Sequence, residues 1–124
     1  NNKLFLFDDS NNYLETYNNS FLMITDLSGT AYTYAFLTKK PVIFFSRREN
    51  FVLKSDYKNL NYFKDRRLIG EIITDEKKII FVMKKCLQKK NKIKKEILKL
   101  IKKNHLEVDS FKLTTSLLKK ISNA

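Results

Sequence analysis

The sequence has 124 residues and a formal net charge of +12, with hydrophobic residues at 43% and charged residues at 31%. This length fits one domain or one lobe of a larger protein, and the composition excludes an intrinsically disordered chain. One cysteine, Cys86, excludes an intramolecular disulfide and a cysteine-based zinc site; since there is also only one histidine, His105, we expect no metal and no cofactor.

Short apolar runs alternate with helical patterns through the first half of the chain. The predicted elements are, in order, a strand at 4–7, a helix at 11–18, a strand at 21–25, a helix at 31–37, and strands at 42–45 and 68–73. The strands are continuous apolar runs, as in parallel sheets that are covered on both faces. The β-α-β-α-β order therefore predicts an α/β fold, a three-layer Rossmann-like parallel sheet.

Two further segments complete the chain. Residues 46–68 are polar and aromatic without clear periodicity, so we expect a long connection of the kind that often carries function. Asp75 caps a long helical stretch whose apolar stripe lapses at 88–92, which predicts either one kinked helix or two helices that meet near Asn91, and Asp109 begins a last helix. We therefore divide the chain into an α/β nucleotide-binding core at 1–75 and a basic helical extension at 76–124 that packs on the same domain.

The positive charge is concentrated in the extension. Residues 1–75 hold 10 Lys and Arg against 9 Asp and Glu, whereas residues 76–124 hold 15 Lys against 4 Asp and Glu. The apolar stripe, which includes Cys86, makes this helix amphipathic, so we expect its lysines to form a solvated outer face. Such a face also attracts an anionic membrane surface. No nucleic-acid-binding motif accompanies the charge, and we expect no nucleic-acid partner.

A short polar segment, Asp26 to Ala31, lies between a predicted strand and a predicted helix. The first N–H groups of a helix lack partners inside it and lie at the positive end of its dipole. Small residues such as Ser28, Gly29 and Thr30 let a phosphate approach these groups. The structural alternative is that Ser28 only caps the helix and Gly29 only makes a turn.

The segments 24–31 and 37–45 resemble the carboxy-terminal lobe of GT-B glycosyltransferases. They are most similar to the group of CDP-glycerol glycerophosphotransferases and capsular-polysaccharide transferases, which read approximately ITD-x-S, a small residue, a helix and KKPVIF. That resemblance implies that Ser28, Gly29 and Thr30 hold the phosphates of a CDP- or UDP-linked donor, and that Asp26 shapes the loop.

The resemblance also places donor contacts after the third strand, at Arg47, Arg48 and Glu49. A guanidinium can pair with phosphate through two hydrogen bonds, and a carboxylate can accept from ribose hydroxyls. Many sugar-nucleotide transferases carry a ribose-binding glutamate where this chain has Tyr34, and related glycerophosphotransferases often carry an acid where it has Thr33. The ribose contact is therefore missing or has moved, for which Glu49 is the candidate.

Nothing in the sequence resembles the amino-terminal lobe of such enzymes, which supplies much of their catalytic and acceptor sites. We therefore expect a cytoplasmic donor-binding lobe, a fragment inactive alone, from a transferase that moves a sugar or glycerol phosphate into a bacterial surface polysaccharide or teichoic-acid-like polymer. We expect this lobe in the cytoplasm, either unattached or bound peripherally to the inner face of the membrane. Two alternatives stay open: a non-enzymatic α/β module whose lysine-rich helix binds polyanions, and a sugar-nucleotide epimerase of similar fold.

Overall fold

The computed structural model describes residues 5, 7–9, 11–26, 29–55 and 60–103, except the side chain of Tyr62. Ser28, His105 and the predicted last helix after Asp109 lie outside these residues. The described elements are α1 (Tyr13–Asn19), β1 (Met23–Thr25), α2 (Thr30–Thr38), β2 (Val42–Phe45), α3 (Glu49–Lys54), α4 (Asn61–Lys64), α5 (Arg66–Ile69), β3 (Gly70–Ile73), a 3₁₀ helix (Glu76–Lys78), α6 (Ile79–Gln88) and α7 (Lys90–Lys103).

The three strands form a parallel sheet in the order β1-β2-β3. In register, Ile24 of β1 lies beside Ile43 of β2, which lies beside Glu71 of β3. Strand β2 is central, and its residues 42–44 are fully buried. The α/β class with a Rossmann-like parallel sheet is therefore confirmed.

Successive side chains of β2 point to opposite faces of the sheet. Since these side chains are apolar, each face is covered by helices. Val42 and Phe44 pack with buried residues of α2, α5 and α7. Ile43 packs on the other face with Val82 and Cys86 of α6. The result is a three-layer arrangement in which the helices are amphipathic and the sheet between them is apolar.

Several predicted strands are shorter than expected. Phe5 and Phe7 belong to no strand and are 74% and 82% exposed, so the buried strand predicted at 4–7 is wrong for these two residues. Phe21 is 79% exposed and precedes β1, so the strand predicted at 21–25 begins at Met23. Ile69 belongs to α5, so the strand predicted at 68–73 begins at Gly70.

The long connection expected at 46–68 contains the short helices α3 and α4 and most of α5. The buried residues of α3 and α5 are three apart, as Glu49 and Val52 or as Arg66 and Ile69. A single helical turn of this kind is too short to give a readable periodic pattern.

The described part of the helical extension, residues 76–103, contains the 3₁₀ helix and then α6 and α7, which meet at Lys89, close to the break predicted near Asn91. Asp75 accepts a hydrogen bond from the Lys77 N–H and so caps the preceding 3₁₀ helix. Cys86 is fully buried, as predicted, and the lysines of both helices are exposed apart from Lys85, which is half-buried and pairs with Glu71. Among the described helices none is both long enough and apolar enough to cross a bilayer.

Candidate functional site

The predicted ligand-binding residues follow the carboxyl ends of adjacent parallel strands. Asp26 and Gly29 follow β1, Arg47 and Arg48 follow β2, and residues 74–76 follow β3. Because neighbouring parallel strands end at the same edge, these segments share one edge of the sheet, where open α/β sheets bind ligands. We call this the carboxyl edge.

Gly29 is the N-cap residue of α2, directly before its first residue Thr30. It has φ −61° and ψ −22°, and no side chain caps the helix there. A Cβ atom built on Gly29 meets nothing within 4 Å, and Gly29, Asp26 and Thr30 are all exposed. Gly29 and Thr30, at the start of α2, are therefore open to solvent, and the adjacent Ser28 lies outside the described residues.

Tyr34 occupies the position where related enzymes carry a ribose-binding glutamate, and it belongs to the core. Its side chain is 1% exposed, and its hydroxyl lies 2.7 Å from Ser20 Oγ. Its ring packs edge-on against Tyr17, and burial raises the pKa of the phenol. Tyr34 therefore belongs to the packing between α1 and α2 and supplies no carboxylate for a ribose, and a contact moved to Glu49 stays a prediction.

Arg47 and Arg48 are both exposed after β2. The Arg47 guanidinium lies over the Phe45 ring, 5.3 Å from its centroid, and its Nη2 is 3.6 Å from Glu76 Oε2. Both partners of this ion pair are largely in solvent, so the pair holds the guanidinium only weakly. The two arginines can therefore turn toward an anion at this edge.

Glu49 lies inside the protein. Its Oε1 is 3.0 Å from Arg66 Nη1 and accepts a hydrogen bond from Ser46 Oγ at 3.4 Å. The side chains of Arg66 and Glu49 are only 3% and 9% exposed, and Arg66 Nε also donates to the Phe63 carbonyl. Glu49 thus ties α3 to α5, and its predicted contact with a ribose stays a prediction.

A shallow cavity of about 450 Å³ lies between the ends of β2 and β3, lined by Phe45, Arg47, Thr74, Asp75 and Glu76. The Ser46 N–H donates to the Ile73 carbonyl at 2.8 Å and so holds these two strand ends together. Sequence reasoning missed Thr74 and Glu76, although their position directly after a strand is the signal that identifies them. The described residues contain no cluster of three His, Cys, Asp or Glu side chains that could hold a metal ion.

Comparison with known proteins agrees with the resemblance of the segments around β1 and β2. The sequence model of the family described as CDP-Glycerol:Poly(glycerophosphate) glycerophosphotransferase matches residues 1–123. No curated protein and no solved structure matches the chain. Because the family match extends over nearly all of the sequence, the chain belongs to the CDP-glycerol:poly(glycerophosphate) glycerophosphotransferase family of transferases.

Proposed function

We propose that this chain is the donor-binding lobe of a GT-B-type transferase that moves glycerol phosphate from a nucleotide-linked donor to a teichoic-acid-like or other bacterial surface polymer. Membership of the glycerophosphotransferase family supports a nucleotide-linked donor. The main observation in support of the proposed binding site is the open start of α2 at Gly29, at the carboxyl edge of the sheet. CDP is the nucleotide we expect, and UDP is the alternative.

The donor diphosphate binds at the exposed start of α2, next to the N–H groups of Gly29 and Thr30. These groups and the helix dipole favour a negative ligand, and Ser28 and Thr30 add hydroxyl groups. Asp26 shapes the turn, and Gly29 lets a phosphate oxygen approach the backbone because it has no Cβ. Arg47 or Arg48, from the next strand, pairs with the second phosphate.

The same contacts assist the reaction. The bond that breaks joins the glycerol-bearing phosphorus to the bridging oxygen of the diphosphate, so the nucleoside monophosphate that leaves gains negative charge. Positive groups fixed before the reaction stabilise this developing charge without reorganising. The attacking hydroxyl belongs to the acceptor polymer, and in this proposal an amino-terminal lobe of the same enzyme binds that polymer and supplies the base that deprotonates the hydroxyl. The lobe described here therefore binds donor without turning it over.

We also propose a location for the enzyme. Nucleotide-linked donors are cytoplasmic, and α6 and α7 present a row of exposed lysines. Each lysine near an anionic bilayer contributes about 1 kcal/mol of attraction. The protein is therefore cytoplasmic and associates peripherally with the inner face of the membrane.

Titration calorimetry with CDP-glycerol, CDP and UDP tests the donor site. We expect saturable binding of at least one cytidine ligand at millimolar concentration or below, and Gly29→Ala weakens it about tenfold or more, since a lost contact to a charged group costs roughly 1.5–3 kcal/mol. Arg48→Ala weakens it as well, whereas Arg67→Ala, which removes an exposed arginine of α5, leaves it unchanged. Absence of binding, or equal binding by the Gly29→Ala chain, would contradict the proposal.

A further inference from the structure

A second cavity lies at the opposite edge of the sheet, where β2 begins. Its volume is about 520 Å³, and Pro41, which immediately precedes β2, forms part of its wall. This volume is in the range of small-ligand pockets. Because parallel strands have their amino ends on one side, this cavity is separate from the carboxyl edge, and nothing in the donor site accounts for it.

Four lysines line this cavity: Lys39 and Lys40 at the end of α2, and Lys90 and Lys94 in the first turns of α7. Throughout the described part of the chain, none of the four forms an ion pair with a carboxylate, whereas Lys85 pairs with Glu71. The cavity therefore concentrates positive charge that no carboxylate of residues 5–55 or 60–103, as far as these are described, pairs with.

Backbone carbonyls hold two of these ammonium groups in place. Lys39 Nζ donates to the Phe36 carbonyl at 2.6 Å, and Lys40 Nζ donates to the Asn18 and Ser20 carbonyls at 2.8 and 2.6 Å. An ammonium group has three donors, so each keeps at least one for a ligand. The positive wall is thus partly preformed.

The arrangement is unfavourable for the empty protein. Lys39 is half-buried, and burial together with the nearby Lys94 lowers its pKa. Lys39 also has φ 57°, a left-handed conformation that glycine adopts more easily. Lys90 lies at the positive end of the α7 dipole, where a cation is disfavoured. A bound anion would offset the repulsion among these groups.

The remaining wall is apolar. The ring of Phe21, which is 79% exposed, and the half-exposed side chain of Leu87 line the cavity beside the lysines. A ligand with an anionic group and a short carbon skeleton matches both parts of the wall, and lysine is a common phosphate ligand.

We propose that this cavity binds an organic phosphate ester, with the phosphate among Lys39, Lys90 and Lys94 and the carbon skeleton against Phe21 and Leu87. A soluble ester and a phospholipid headgroup share this chemistry. The site is distinct from the donor site, and its occupation does not depend on the proposed transferase function.

The test compares two pairs of lysines on the same helix. Lys90→Ala/Lys94→Ala removes two cations that line the cavity, and Lys92→Ala/Lys95→Ala removes two exposed cations that do not line it. The probes are sn-glycerol 3-phosphate with glycerol as the neutral control, and phosphatidylglycerol vesicles with phosphatidylcholine vesicles as the neutral control. Because two charge contacts are lost, we expect about tenfold or greater weakening for the first variant and less than about twofold for the second.

Lys39→Gly supplies an independent variant that does not rely on α7. Glycine accommodates the left-handed backbone there, so we expect an unchanged or higher melting temperature together with weaker binding of the probe. A loss of binding without a loss of stability separates a ligand contact from a structural role.

The outcomes divide clearly. Saturable binding of sn-glycerol 3-phosphate that only the cavity variants weaken supports a soluble ester, and the same pattern with phosphatidylglycerol vesicles alone supports a lipid headgroup. Equal weakening in both lysine pairs would mean diffuse surface charge and would overturn the proposal. Failure of the unmodified chain to bind either probe at millimolar concentration would overturn it too.

Discussion

The only two glycines of the chain, Gly29 and Gly70, are required for different reasons. A Cβ atom on Gly70 would lie 1.6 Å from the Val42 carbonyl oxygen, so β3 can begin beside β2 only without a side chain there. Gly29 has open space around the same position. Gly70 therefore serves strand pairing, whereas Gly29 leaves open space where we propose that the donor phosphate binds.

Gly70→Ala is therefore expected to lower the free energy of unfolding by about 3 kcal/mol or more, since the strands must separate to admit the methyl group. Gly29→Ala should lower it by less than about 1 kcal/mol, the size of a helix-cap effect. Urea denaturation monitored by circular dichroism measures both. Similar losses in the two variants would contradict the assignment of Gly29 to a ligand.

Because of Cys86, we expect the free energy of unfolding to depend on pH in the alkaline range. Burial, and secondarily the Glu71 carboxylate, raises the pKa of its thiol from 9.0 to about 11. Between pH 9 and pH 11 the folded protein thus keeps this proton while the unfolded chain loses it. The contribution of the buried thiol to the free energy of unfolding is therefore complete below pH 9 and is lost as the pH rises toward 11.

We expect this loss to be on the order of 2–3 kcal/mol at most. Urea midpoints measured between pH 8 and pH 11 should fall less steeply for Cys86→Ala than for the unmodified chain, because the alanine has no proton to lose. Lys39, whose lowered pKa acts with the opposite sign, is common to both chains. Parallel curves for the two chains would show that Cys86 does not titrate as described.

The residues of the site were only partly predictable from the sequence. Gly29 and the arginines of residues 47–48 could be placed, because a polar segment directly after an apolar strand must lie at the carboxyl edge. The burial of Glu49 could not be foreseen, since it depends on Arg66, 17 positions away in the sequence. Pairing of that kind is set by tertiary packing and leaves no local pattern.

At the scale of elements, the Glu49–Arg66 ion pair joins α3 to α5. Neither helix is longer than six residues, so neither is stable by itself, and the pair supplies a fixed contact between them. Arg47 and Arg48 directly precede α3. Their position at the carboxyl edge thus depends on how α3 is held.

Removing one member of this pair leaves a buried charge, so Arg66→Leu and Glu49→Leu should each lower the free energy of unfolding by about 3–5 kcal/mol. The double variant should lose less than either single variant, because no unpaired charge remains. For comparison, disrupting the exposed Arg47–Glu76 pair with Glu76→Ala should cost less than about 1 kcal/mol. Additive losses in this double-mutant cycle, measured by urea denaturation, would exclude a coupled pair.

The helices and strands that could be predicted from the sequence are those with a clear pattern of buried residues or a local capping signal. The strand at 42–45 was predicted with its observed bounds because it is central, and a fully buried strand is a continuous apolar run. Asp75 and the break near Lys89 were also readable, since a cap and a lapse in an apolar stripe are local signals. The helices between residues 49 and 69 were not, because each spans at most six residues.

At the scale of the whole molecule, the sheet separates two edges of different chemistry. The carboxyl edge combines an open helix start with two arginines and the acidic residues Asp75 and Glu76. The amino edge combines four lysines with an apolar wall. The two edges therefore predict two independent anion sites, and we propose that the nucleotide-linked donor binds at the carboxyl edge.

The most direct test of the donor site is a titration of the ¹⁵N-labelled chain with CDP, followed by amide chemical shifts. We predict saturable shifts at Gly29, Thr30, Arg47 and Arg48 at the carboxyl edge, with no change at Lys90 in the amino-edge cavity. Shifts confined to Lys90 and its neighbours, or none at millimolar CDP, would contradict the placement of the donor on the open start of α2.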